Sequence, residues 1–586
     1  MKKFLNEPAN AVDEMLDGFC RAHADRVFRV APRVVGSRAR RDGVGLITGG
    51  GSGHKPAFIG YLGAGMLDAV AVGDVFTSPP ADAIRLAIRA ADTGHGVLCL
   101  LGNYSGDVMN FRMAADLAAR EGIDTALAIA TDDIGAGFRD EPDRRRGVTG
   151  QVLIWKICGA LADRGASLSE LTAMAIEVNA ATRTVGVAIA PCTVPQAGSP
   201  TFTLGESEME FGVGHHGEPG SSREKLPRVD VICERMLTSI LDELRPVGAP
   251  VAVIVNGLGA TPQMELYVAY RRVAELLDKE GIRVHRAWVG EYFTALEMAG
   301  FSLTVSVLNE HLAELLDAPS DAVSLRQGLI RVAETDRPRT QHPPATDGEP
   351  AGRDDQGASD TDNPEDGRQA AREVLSVLAA AMPAERERLC RLDAKLGDGD
   401  HGVTMAKAFT AVGRMLDAPP GASTAGMLRA VADIFITEVG GATGPLFGSA
   451  FLAAADEVPA TGPVDSAAIA RMLEAAEAAV MKRGGAGPGD KTMLDALAPA
   501  ARAAKDSAEE GQPVRAALTR ASQAAERGAQ STAEMQAKVG RAARLGLRSI
   551  GHVDPGAESV ALMLAHAARQ LLLPQSTEHH AEGQPT

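Results

Sequence analysis

In the first part of the 586-residue chain, apolar positions fall into short runs at 44–48, 69–72, 97–101, 126–131, 185–190 and 251–256. Runs of this length bounded by Gly-rich turns predict strands. Several lead into stretches with apolar spacings of three and four, as at 79–93 and 108–121, which predict helices. Alternating strands and helices predict an α/β fold, whose ligands sit in loops beyond the carboxyl ends of strands. Further along the pattern changes. Ala-rich stretches with apolar spacings of three and four occupy 371–382, 405–415, 467–481, 492–508 and 557–573, with almost no β-branched runs. They predict an all-helical unit packed through small side chains.

Between the two patterns, residues 336–367 contain no Val, Ile, Leu, Met, Phe, Trp or Tyr. They hold five Pro, four Gly and nine acidic residues against three Arg. Such a segment cannot bury enough apolar surface to offset its ordering entropy and is expected to be a disordered linker. As a flexible coil it would span roughly 31 Å, enough for docking within one chain or onto a partner subunit. The expected organisation is a two-lobed α/β unit over 1–335, with lobes of about 1–185 and 186–335. The linker at 336–367, a helical unit at 368–575 and a frayed tail at 576–586 follow.

Charge and cysteine usage narrow the function. Lys plus Arg number 59 and Asp plus Glu 76, a net charge of −17, which argues against a nucleic-acid binder. The basic runs at 38–41 and 144–146 are expected to be solvated faces. No apolar run reaches the ~18 residues of a membrane span. The first residues, MKKFLNEPANAVDEM, lack the apolar region of a secretory signal. Six cysteines without a CxxC pair suit reduced thiols, so a cytoplasmic protein is expected.

Three loops of the α/β unit carry candidate chemistry. Gly49-Gly50-Gly51-Ser52-Gly53-His54-Lys55-Pro56 follows the strand at 44–48. Consecutive glycines let backbone amides approach a ligand, although a tight turn would also use them. The loop lacks the GxxxxGK[ST] spacing of a P-loop. Asn103-Tyr104-Ser105-Gly106-Asp107 places a carboxylate at a strand end, where it would serve as a base or as a helix cap. Gly212-Val213-Gly214-His215-His216-Gly217-Glu218-Pro219-Gly220 holds two adjacent histidines. Neighbouring residues point apart, so one His in nucleophilic or acid–base work fits better than a metal pair, although a surface turn with incidental histidines would read the same way.

These loops, with Gly73-Asp74-Val75-Phe76-Thr77-Ser78-Pro79 between them and Val255-Asn256-Gly257-Leu258-Gly259-Ala260-Thr261 after them, resemble the substrate-binding domain of dihydroxyacetone kinases across nearly all of 1–335. The resemblance implies that His216 bonds covalently to the substrate carbonyl as a hemiaminal. It implies that Asp107 accepts the proton of the attacking hydroxyl and that His54 hydrogen-bonds the substrate. Gly51, Ser52, Gly53, Ser78 and Gly102 would line the pocket. A reversible C–N bond suits a triose, which offers few atoms for contact, and it excludes alcohols lacking a carbonyl. The sequence departs from the family at three places: Lys55 stands where Glu is usual, Phe58 or Ile59 where a second His is usual, and Gly102 where a Lys often precedes the NYTGD stretch. A four-carbon ketose such as erythrulose therefore becomes a candidate, beside dihydroxyacetone and glyceraldehyde.

In the helical unit, Leu392-Asp393-Ala394-Lys395-Leu396-Gly397-Asp398-Gly399-Asp400-His401-Gly402 carries Asp393, Asp398 and Asp400 within eight residues. Oxygen ligands without Cys favour Mg²⁺ or Ca²⁺, and the EF-hand pattern is not met; an exposed acidic turn is the plainer alternative. Gly-rich turns follow at 440–448, 484–492, 540–542 and 549–557. Together they resemble the nucleotide-binding domain of the same family, an antiparallel helical barrel. The resemblance implies that the three aspartates hold paired Mg²⁺ ions and that His401 and Thr404 lie at the phosphates of ATP. Ala442 and Thr443 would supply loop contacts, Gly484 and Met493 would flank the adenine, and Arg541 would reach the phosphates. Asp554 and Gly556 would close the site. The implied activity is ATP-dependent phosphorylation of a short-chain ketose by a homodimer. Alternatives are a phosphoprotein-dependent phosphotransferase component, which the fusion of both units in one chain opposes, and a flavin-nucleotide lyase, which no residue specifically supports.

Overall fold

The computed structural model describes residues 3–138, 140–328, 365–397, 399–417, 423–460 and 463–572. The tail predicted at 576–586, most of the predicted linker, and Asp398 lie outside the described residues.

Two six-stranded sheets build the α/β part. The first runs in the order Val27–Ala31, Val34–Ser37, Ala69–Val72, Gly45–Gly50, Val97–Gly102, Thr125–Ala130. Its last four strands are parallel to one another, whereas Val34–Ser37 pairs antiparallel with Ala69–Val72. Strand Gly45–Gly50 is buried at every position, as a parallel strand covered on both faces should be. The second sheet runs Ser222–Lys225, Glu208–Phe211, Thr182–Ala190, Ala299–Val307, Val251–Gly257, Val284–Gly290. Only its final pair is parallel. The change of sheet falls at Thr182, a few residues before the predicted lobe division. The chain later returns: Leu308, Leu312, Leu315 and Leu316 join the core of the first lobe. A small three-stranded sheet of Gly63–Ala64, Ser320–Ala322 and Arg326–Gln327 ties the two ends of this part together.

Arg145 and Arg146 correct one expectation. They are buried rather than solvated, at 1% and 0% exposure. Burial of guanidinium is tolerated only with matched partners. Arg145 makes a two-pronged pair with Glu243, and Arg146 donates to Asp133 Oδ2 (2.6 Å) and Gly212 O (2.8 Å). Arg41, from the other basic run, is also largely covered and pairs with Asp68 and Asp163. All six cysteines are free thiols.

The second part is helical. Among the described residues its long helices are Glu365–Ala384, His401–Leu416, Thr424–Glu438, Thr443–Asp456, Ser466–Gly484, Leu494–Glu509, Val514–Ser531 and Pro555–Leu572. Successive helices pack on one another, and the last packs on the first, closing a barrel. Ala496, Ala500, Ala504, Ala521 and Ala525 lie in its core, so small side chains bring helix axes close. The barrel encloses an apolar cavity of about 430 Å³. Its first helix begins at Glu365, inside the segment expected to be linker, a switch that composition alone did not reveal. Among the described residues, no helix is long and apolar enough to cross a membrane.

Candidate active site

A cavity of about 640 Å³ lies where the α/β part meets one end of the helical barrel, and both contribute to its wall. On the α/β side it opens at the carboxyl ends of strands Gly45–Gly50 and Val97–Gly102, as parallel-sheet geometry predicts.

His54 and His216, 162 residues apart, meet in this wall with Nε2 atoms 3.0 Å apart. His54 Nδ1 donates to Thr294 O at 2.8 Å, which leaves its Nε2 as the lone-pair nitrogen. Burial and the neighbouring His216 and His215 hold His54 well below the ordinary histidine pKa, so it is neutral at pH 7. On His216, Nδ1 lies 3.0 Å from Glu218 Oε1, while Glu218 Oε2 accepts from the His216 backbone amide at 2.9 Å. The carboxylate therefore orients the ring so that Nε2 faces the cavity. Phe76 packs against both imidazoles with ring centroids 5.0 Å away; its backbone sits at φ 59°, the left-handed region, where side chains are uncommon. His215 points away, against Phe293, and burial pushes it down to about 3. The two histidines thus diverge as expected.

Asp107 lies in the first turn of helix Ser105–Arg120. It does not cap the helix: its Oδ1 has no hydrogen-bond partner. Desolvation pushes its carboxyl up to about 7, moderated by the Ser78 hydroxyl and the Arg541 charge. A carboxylate poised there suits proton transfer at neutral pH.

The barrel contributes Asp393, Asp400, His401, Thr404, Ala442, Thr443, Gly484 and Arg541 to the same cavity, all expected site residues. Asp400 is pushed up to about 7 by burial first and by Asp393 second. Two carboxylates lining one cavity, with Asp400 desolvated beside the Asp393 charge, suit a hard cation with oxygen ligands, so these residues fit Mg²⁺. Among the described residues, no three His, Cys, Asp or Glu side chains form a metal cluster, and the third expected ligand, Asp398, lies outside them. Ser559 Oγ donates to Pro555 O, so His401 Nε2 donates to Ser559 Oγ at 2.8 Å. His401 Nδ1 is then free to accept from the Thr443 hydroxyl, 3.4 Å away.

Hydrogen bonds join the two parts within one chain. Thr77 Oγ1 donates to Asp400 Oδ2 at 3.0 Å, and Arg541 Nη2 donates to Phe76 O at 3.0 Å. Gly441 N donates to Ser78 O at 3.2 Å, and Asn110 Nδ2 donates to Gly441 O at 2.7 Å. Gly441 has φ +66°, and a Cβ on Gly440 would lie 2.2 Å from Ser78 O, so the loop needs its glycines to approach this closely.

Other expected residues fall elsewhere. Gly51, Ser78 and Gly102 line the cavity, but Ser52 and Gly53 do not. The Ser52 hydroxyl donates to Gly73 O at 2.6 Å, and Gly53 packs on the Phe76 ring. Met493 faces the apolar interior of the barrel. Asp554 caps the last helix by accepting from Ala557 N at 2.8 Å, with Gly556 beside it, so both stand behind the cavity wall. Of the departures, Phe58 lines the cavity, whereas Lys55 turns its amine to Ala57 O and burial lowers it to about 7. Glu218 and Thr77 went unassigned in the sequence, though both stand inside the quoted loops.

The fusion of these two sites in one chain matches known sequences. Residues 17–324 match the Dak1 domain and residues 395–569 the DAK2 domain. The chain belongs to the dihydroxyacetone kinase family. It is 38% identical over 571 residues to a D-erythrulose kinase of Mycolicibacterium smegmatis, covering 96% of this chain and 97% of that one. It is 36% identical over 581 residues to an L-erythrulose kinase of Pectobacterium atrosepticum, covering 96% and 95%. Among solved structures, the dihydroxyacetone kinase from C. freundii in complex with AMP-PNP and Mg²⁺ aligns with TM-score 0.52 and 29% identity, covering 97% of this chain and 99% of that one.

Proposed function

We propose that this chain is an ATP-dependent kinase that phosphorylates a terminal hydroxyl of a short-chain ketose held covalently on His216. The observation that carries the reading is the single cavity. It brings together an oriented imidazole, a carboxylate poised near neutrality, and the Asp393, Asp400, Thr443 and Arg541 set of the barrel. The substrate relatives named above, two erythrulose kinases, support a four-carbon ketose beside dihydroxyacetone.

The His216 Nε2 lone pair adds to the carbonyl carbon, and the C=O π pair moves onto oxygen. That oxygen takes up the proton that His216 Nε2 first passes to His54 Nε2 across their 3.0 Å contact, while the Nδ1 proton is released toward Glu218, so the hemiaminal forms without net charge. His54 Nε2, an acceptor, holds the new hydroxyl. Asp107 then takes the proton from the substrate's terminal hydroxyl, whose oxygen bonds to the γ-phosphorus as the bond to the β-phosphate oxygen breaks and ADP leaves. Arg541 and the Thr443 hydroxyl supply positive charge and a donor for the phosphates, the contributions that phosphoryl transfer depends on most. Mg²⁺, held by Asp393 and Asp400, would neutralise phosphate charge and orient the γ-phosphoryl.

Purified protein with ATP, Mg²⁺ and a panel of dihydroxyacetone, glyceraldehyde and both erythrulose enantiomers tests this. Multiple turnovers without any added phosphoprotein are expected, and absence of turnover on all four overturns the reading. His216→Ala should raise the ketose KM roughly 100-fold, because noncovalent contacts with so small a ligand are few. It should also abolish the mass-spectrometric adduct.

A further inference from the structure

Arg146 belongs to the first lobe and is buried, and its guanidinium reaches across the lobe boundary. On one side Nε donates to Asp133 Oδ2 at 2.6 Å, also of the first lobe. On the other, Nη2 donates to Gly212 O at 2.8 Å, at the start of the loop that carries His216. Nη1 lies 4.0 Å from Glu218 Oε2, a buried ion pair. Glu218 is the carboxylate that orients the His216 ring. Asp133, Arg146, Glu218 and His216 thus form a line of side chains that ends at the carbonyl-binding nitrogen.

The loop is shaped around this contact. A Cβ on Gly214 would lie 2.1 Å from Glu218 Oε2 and 2.3 Å from Arg146 Nη1, so glycine there lets the two side chains come together. Gly214 N donates to Glu218 O at 3.1 Å and closes the turn. Asp133 is held separately, because its Oδ1 accepts from Gly135 N at 2.8 Å. Other titratable groups face this line. His54 and the Tyr104 ring stand against His216, Tyr104 and His215 stand near Arg146, and Asp132 stands next to Asp133. Burial holds His54 and His215 neutral at pH 7, and Asp132 is occupied by Val148 N and Gly150 N.

We propose that Arg146 is a positioning residue that acts through Glu218 to hold His216 in the form that attacks a carbonyl. The inference rests on the covalent reading above. A carboxylate beside a cation is a weaker base, and at about 4 Å in a buried setting that effect is large. With Arg146 present, Glu218 aligns the His216 ring without locking both protons on it. Without Arg146, Glu218 would bind the imidazolium more tightly, and the Nε2 lone pair would be set free only at higher pH. Arg146 lies behind the cavity wall, so its influence falls on ketose capture rather than on phosphoryl transfer.

The test follows adduct formation against pH on the full chain without nucleotide, by ¹³C NMR of dihydroxyacetone and erythrulose labelled at the carbonyl carbon. In Arg146→Met the midpoint of adduct formation should move roughly one pH unit to the alkaline side. At pH 7 the ketose KM should then rise about tenfold while kcat stays within about threefold. Met leaves Asp133 buried without its cation, so a paired variant, Asp133→Asn with Arg146→Met, is measured beside it. The paired variant removes both charges and keeps an acceptor for Gly135 N. It should show the same alkaline shift, because Glu218 still lacks its cation. A wild-type midpoint in the paired variant would assign Arg146 to Asp133 alone and overturn the proposal. A loss of adduct that is equal at every pH, the mark of a displaced loop, would overturn it too. Should Arg146→Met fail to fold, the paired variant decides. A wild type that forms no adduct with either ketose at any pH overturns the covalent reading and this role with it.

Discussion

Replacing Asp107 with Asn is expected to lower kcat by about 10²- to 10⁴-fold, the range typical of a lost general base. The ketose adduct on His216 should remain visible by mass spectrometry, because nothing in carbonyl addition uses Asp107. The pH profile separates this role from a structural one. Burial raises the Asp107 carboxyl to about 7, and a base works only when deprotonated. In the wild type kcat should therefore fall as pH drops through about 7, approaching tenfold per pH unit on the acid side. The residual activity of Asp107→Asn should lack that limb. A variant with wild-type kcat, or one that retains the acid limb, removes Asp107 from the chemistry.

Asp400→Asn should produce the second large loss, about 10²-fold in kcat with a raised Mg²⁺ requirement. The substitution is informative because Asn still accepts from Thr77 Oγ1, so the bond across the interface survives while the charge does not. The sign of the stability effect is opposite. Asp400 is raised from 3.8 to about 7 by burial and by Asp393, so the folded protein loses stability as pH rises through that range, and the loss is complete above about 7. Without Mg²⁺ at pH 8, Asp400→Asn should melt roughly a few degrees higher than the wild type. Calorimetry and a Mg²⁺ titration of activity check both halves. Equal activity and an unchanged Mg²⁺ requirement would remove Asp400 from cation binding.

What was legible in the sequence follows from how local each signal is. The strands at Gly45–Gly50 and Val97–Gly102 are continuous apolar runs because both faces are covered, and that pattern survives in one dimension. Strand Ser222–Lys225 carries four polar residues and is held at a sheet edge by backbone pairing with Glu208–Phe211, which leaves no apolar signature. The same split divides the site. His54, Asp107, His216 and Asp400 sit in Gly-rich loops whose composition announces them. The Thr77–Asp400 bond joins residues 323 apart, a pairing that no local pattern carries. Arg145 and Arg146 make the converse point, since a basic run has no fixed meaning until its carboxylate partners are placed.

The bonds that dock the barrel onto the α/β part mostly end on main-chain atoms: Ser78 O, Phe76 O, and the amide and carbonyl of Gly441. Main-chain atoms are present whatever side chain a position carries. The side chains these bonds require are the donors Asn110 and Arg541. As long as those two and the glycines of the loop are kept, the surfaces on either side can drift in sequence while the two parts stay in register.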